Sequence, residues 1–80
     1  MNLRIKCRVV TRTEGFDNAG APNREDVILR PVDGNVQGAS DEDKTFAQDI
    51  LGGNVQLVLQ NDALGKLTPG EYYVDFTRKS

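Results

Sequence analysis

The stretch NLRIKCRVVTR, Asn2–Arg12, decides the fold. Leu3, Ile5, Cys7 and Val9 alternate with Arg4, Lys6 and Arg8, and the basic series resumes at Arg12 after a break at Val10. Successive side chains on a strand project to opposite faces, so the pattern predicts a long half-buried strand with one apolar and one basic face.

Working outward, TEGFDNAGAPNR (13–24) is rich in turn formers and reads as a loop. Phe16 lies within it, either as a plug folded back on the core or as an exposed contact residue at a loop tip. EDVILRPV (25–32) reads as a second strand that Pro31 ends or confines to an edge. Ser40 is a good N-cap, and Asp41, Glu42 and Asp43 fill a first turn where carboxylates complement the helix dipole. Phe46, Ala47, Ile50 and Leu51 make one apolar stripe, so the spacing predicts a helix over about 41–51, stopped by Gly52-Gly53.

NVQLVLQ (54–60) reads as a third strand with Val55, Leu57 and Leu59 inward. NDALG (61–65) reads as one helical turn capped by Asn61 and closed by Gly65. Pro69-Gly70 fits the centre of a type II turn. It leads into the final strand, 71–77, where Tyr72, Val74 and Phe76 take the core face and Tyr73, Asp75 and Thr77 the outer one.

The expected fold is mainly β (α+β): a small antiparallel barrel, OB-like or SH3-like, of four to five strands with one helix plugging an open end. Eighty residues allow a single small domain, 1–80, with a thin core.

Composition narrows the function. There is no histidine and only one cysteine, Cys7, so an intramolecular disulfide is excluded and a transition-metal centre is not expected. The consecutive carboxylates 41–43 suit capping, because neighbours on a helix do not converge on one ion. No phosphate-binding glycine loop or nucleophile elbow occurs, so neither an enzyme nor a cofactor is expected. No apolar run has the length of a membrane span, and a soluble chain is expected.

The polar feature that stands out is the row Arg4, Lys6, Arg8 and Arg12, with Tyr73 and Asp75 as neighbours if the last strand pairs nearby. One reading is an anionic partner: single-stranded nucleic acid stacked on Tyr73, or a sequestered anionic nucleotide. The other, favoured by the net charge of −2, is a solvated face paired across strands with Asp26, Glu71 or Asp75.

The C-terminal PGEYYVDFT resembles the ending of a group of short phage and prophage proteins. SDEDKTF (40–46) is similar to that group's Ser-acidic-acidic-x-Lys-x-Phe helix start, and GNVQLVLQN (53–61) to its Gly-x-x-x-Leu-x-x-x-Asn strand. The resemblance covers residues 40–77 and implies a virus-encoded accessory protein. Such a protein acts in the host cytoplasm or with the virion, by binding a host or phage protein or by self-association.

Overall fold

A computed structural model describes residues 2–79. The elements in order are β1 (Asn2–Phe16), β2 (Pro22–Pro31), α1 (Asp41–Ala47), β3 (Val55–Leu59), a single 3-10 turn (Asn61–Ala63) and β4 (Glu71–Thr77). The four strands form one antiparallel sheet in the order β3-β2-β1-β4, curled into a half-barrel. The small mainly-β architecture is thus as the sequence implies, with four strands and an unclosed wall.

Alternation in β1 holds from Leu3 to Val9 and then breaks. Val9 pairs with Leu29 but Thr11 pairs with Ile28, so Val10 is an extra residue in the ladder, a β-bulge. Because the side-chain period is two, one extra residue reverses the faces beyond it. Arg12 therefore pairs with Val27, on the face of Cys7 and Leu29, and not with Arg4, Lys6 and Arg8.

The inner face carries the core. Ile5, Cys7, Val27 and Leu29 are buried, with Val9, Val55, Leu59, Tyr72 and Val74 packed around them. Two side chains from connecting segments, Ile50 and Leu67, reach the same cluster. β4 has the expected bounds and faces. Leu3 sits opposite Phe76, Ile5 opposite Val74 and Cys7 opposite Tyr72.

Several expectations need correction. Thr13–Phe16 and Pro22–Arg24 are not loop but the far ends of β1 and β2. They close through Asp17, whose carboxylate accepts from the backbone N–H of Ala19 and of Ala21, both at 2.9 Å. These residues are largely exposed, and Phe16 and Pro22 at the tip are their only large apolar side chains, so their strand lacks the apolar alternation that marks a half-buried one. Phe16 ends this projecting arm exposed, which removes the core-plug reading.

The helix stops at Ala47, with Gln48 as its C-cap. It lies on the outer face of the sheet over Lys6 and Tyr73 instead of plugging a barrel end. A helix on that face cannot also feed the inner core. The chain therefore unwinds after Gln48, so that Ile50 reaches the inner cluster while Leu51 is fully exposed. Gly34 marks how closely the preceding loop approaches the helix, since a Cβ there would meet Lys44 Cα at 2.8 Å.

In the 3-10 turn Gln60 takes the N-cap position, and Asn61 adopts a positive φ of 55° inside the turn. Gly70 takes a φ of 154°, far from the roughly +80° of a type II turn.

Replacing Leu29 by Ala is expected to cost about 2–4 kcal/mol, as for other buried leucines. Leu51→Ala should change stability by less than about 0.5 kcal/mol. Urea titration followed by circular dichroism checks both, and a large loss at Leu51 would show that the longer helix forms.

Candidate functional site

β1 and β4 bring the expected residues of the outer face together. Arg4 faces Asp75, Lys6 faces Tyr73 and Arg8 faces Glu71 across the ladder. Each cation is engaged. Arg4 donates to both oxygens of Asp75, at 2.6 and 3.1 Å, and Arg8 donates to Glu71 at 2.7 Å. Lys6 Nζ lies 2.6 Å from Asp43, 3.3 Å from Glu42 and 3.5 Å from Glu71, with its side chain only 12% exposed.

This arrangement follows from the helix start. Ser40 Oγ accepts the Asp43 N–H at 3.1 Å, which is half of a capping box. The Asp43 carboxylate turns to Lys6 instead of back to the cap. Acidic residues placed to complement the helix dipole therefore also form the carboxylate cage around a lysine of the sheet.

Tyr73 is held by the same helix. Its hydroxyl donates to Glu42, and its ring packs against Phe46 with centroids 5.8 Å apart at 41°. The Arg4 guanidinium lies 5.4 Å from the Tyr73 ring centroid, within cation–π range. Tyr73 remains half exposed, but the helix occupies part of the space a stacking base would need. Its neighbour Tyr72 is half-buried on the inner side and donates to the Thr68 carbonyl at 2.7 Å.

Protonation follows these contacts. The hydrogen bond to Asp43 pushes the Lys6 ammonium above its ordinary value, and the same bond holds the Asp43 carboxyl below the usual carboxylate range. Tyr73, and next Lys6, lower the Glu42 carboxyl, while Glu42 raises the Tyr73 hydroxyl. Arg4 lowers Asp75 in the same way. Burial raises the Cys7 thiol, which leaves it a poor nucleophile.

Arg12 does not join this group. The bulge at Val10 carries it to the inner side, where it donates to Glu25 at 2.8 Å. The Glu25 side chain is almost fully buried, and its Oε1 has no hydrogen-bond partner among the described residues. Sequence reasoning missed this pair. The available signal was Val10 itself, an apolar residue in the polar register. Of the expected acidic partners, Glu71 and Asp75 are in place. Asp26 instead sits opposite Thr13 and Val58, with no ion pair among the described residues. Nor do the described residues contain a cluster of His, Cys, Asp or Glu suited to a metal ion.

The inner face also carries exposed apolar residues. Leu3, Leu57 and Phe76 share the register of the core but are 45%, 43% and 50% exposed. Phe76 and Val55, from opposite edge strands, line one cavity of about 190 Å³ with Leu3, Ile5 and Ile50. No helix of the described residues is long and apolar enough to cross a membrane. Comparison with family models, curated proteins and solved structures finds no match.

The cage predicts an acid-sensitive helix. Asp43 has a depressed folded-state pKa, so its contribution is present above the unfolded value of about 3.9 and is lost as pH falls through the folded one. Lys6 has a raised pKa, so its contribution holds below about 10.4 and fails only in stronger alkali. The melting-temperature gap between wild type and Asp43→Asn should therefore be widest near neutrality and narrow below about pH 4. A gap unchanged down to about pH 2 would show that the pair adds no stability.

Tyr73→Ala should speed amide exchange in α1 while leaving β1 and β2 protected. Loss of protection across the whole sheet would instead make Tyr73 part of the core.

Proposed function

We propose that this is a non-enzymatic accessory protein, encoded by a phage or prophage, that acts by binding protein through the inner face of its half-barrel. The observation that carries the reading is the exposure of Leu3, Leu57 and Phe76 beside a core that, among the described residues, only Ile50 and Leu67 cap from outside the sheet. Apolar surface exposed on this face, at Leu3 and Phe76 toward one end and Leu57 toward the other, costs free energy in water and is covered when a partner binds. The resemblance of residues 40–77 to short phage proteins supports the viral assignment.

The nucleic-acid and nucleotide readings draw less support. They depend on Arg4, Lys6, Arg8, Arg12 and Tyr73, and each of these already has an acidic partner in the fold. A phosphate would have to displace those carboxylates, so little counterion release would be left to drive binding.

Two measurements test the reading. Tagged wild-type chain should retain a protein, another copy or a different one, in stoichiometric amount, and Phe76→Ser should lose it. Titration with a fluorescent single-stranded oligonucleotide at low salt should show no saturable binding. Tight binding that weakens steeply with added salt, abolished by Arg8→Gln, would overturn the proposal in favour of a nucleic-acid binder.

A further inference from the structure

The described fold leaves too much surface uncovered for a free-standing chain of its size. Its accessible surface is 6217 Å², whereas a folded monomer of 8.8 kDa is expected to expose about 4,800 Å². The excess, about 1,400 Å², is shared between the projecting hairpin arm and the open inner face, and a standard specific interface buries roughly 800 Å² per partner. The shape agrees. The radius of gyration is 15.1 Å, against about 11.6 Å for a compact chain of this length, and the shortest dimension is only 16 Å. α1 covers part of the outer face, whereas no helix or strand of the described residues covers the inner face, where the core lies.

The edges of the sheet indicate how that inner side is enclosed. β4 carries Glu71 and Asp75, charges of the kind that discourage edge pairing. β3, Val55-Gln56-Leu57-Val58-Leu59, contains no charge and no proline, and it has β2 on one side only. Such an edge is open to strand addition. Across a twofold axis a charged edge would set like against like, whereas an uncharged apolar edge is complementary to itself. An antiparallel β3–β3 pairing centred on Leu57 would place Val55 opposite Leu59 and keep Val55, Leu57 and Leu59 of both copies on one inner face.

We infer that a second copy of this chain joins through the β3 edges in a twofold dimer, so that the two half-barrels make one eight-stranded curled wall around a shared inner face. The inference rests on the interaction reading above and names the partner at that surface. The dimer buries Leu57 and extends the apolar cluster of one copy into that of the other. Val36 and Leu51, exposed apolar residues of the connecting segments outside the sheet, lie outside the interface.

Size-exclusion chromatography with light scattering on the whole chain, at about 100 µM, tests this. Wild type is expected at about twice the 8.8 kDa chain mass. Leu57→Lys is expected at the chain mass with an unchanged circular dichroism spectrum, because Leu57 is already part-exposed within one copy. Leu51→Lys should remain dimeric. Should Leu57→Lys fail to fold, amide exchange of wild type decides the matter: protection of 55–59 should fall on dilution.

A monomeric wild type overturns the inference, as does a dimer that survives Leu57→Lys, or protection of 55–59 independent of concentration. A monomer that still captures a different protein, lost in Phe76→Ser, overturns the dimer but not the interaction reading. A monomer that captures nothing overturns both.

Discussion

Val10 is one residue more than the β1–β2 ladder can pair, and the two faces of the sheet depend on that surplus. Before the bulge, β1 sends Ile5 and Cys7 inward and Arg4, Lys6 and Arg8 outward. Beyond it Arg12 points inward beside Val27, at the end of the apolar core, and is matched there by Glu25. Without the extra residue, Arg12 would lengthen the basic row and Thr11 would face the core. The bulge thus ends the apolar wall after Val9 and begins the polar hairpin arm.

The outer face is organised by charge, and there desolvation decides what the charges can do. An exposed ion pair contributes little, so the surface pairs Arg4–Asp75 and Arg8–Glu71 are minor terms in stability. Lys6 differs because α1 covers it, and a covered ammonium without partners would be costly. Three carboxylates from two elements meet that need and fix the helix over β1 and β4. The same residues that make the face look like an anion-binding platform in the sequence therefore make it a closed one in the fold. What stays uncovered is the apolar side, held by ladder hydrogen bonds and a thin cluster of side chains.

Much of the fold is legible in the chain because local signals and tertiary needs agree. The Leu3–Val9 alternation, the Ser40 cap and the Glu71–Thr77 strand each satisfy a short-range rule that the fold keeps. The misreadings share another cause. Thr13–Phe16 and Pro22–Arg24 form strands through backbone pairing and a turn at Asp17, with no buried side to leave a periodic trace. The helix reads too long because Ile50 and Leu51 continue an apolar spacing, whereas Ile50 serves the inner face of the sheet and the helix lies on the outer one. In the candidate site, Arg4, Lys6, Arg8, Tyr73 and Asp75 are legible as neighbours from parity alone. The intervention of α1 between them and solvent is not, since period-two patterns do not say which face a later element will cover.

The carboxylate cage also sets the chemical character of Lys6. Acylating reagents and modifying enzymes require a free amine, and Asp43, Glu42 and Glu71 hold this one protonated and shielded. Lys44 and Lys66, exposed on the helix and on the loop before β4, have no such ring of acids among the described residues. Amine-directed labelling would therefore decorate the surface of the folded chain and pass over the lysine at its centre. The labelling of Lys6 would in turn report whether α1 is seated on the sheet.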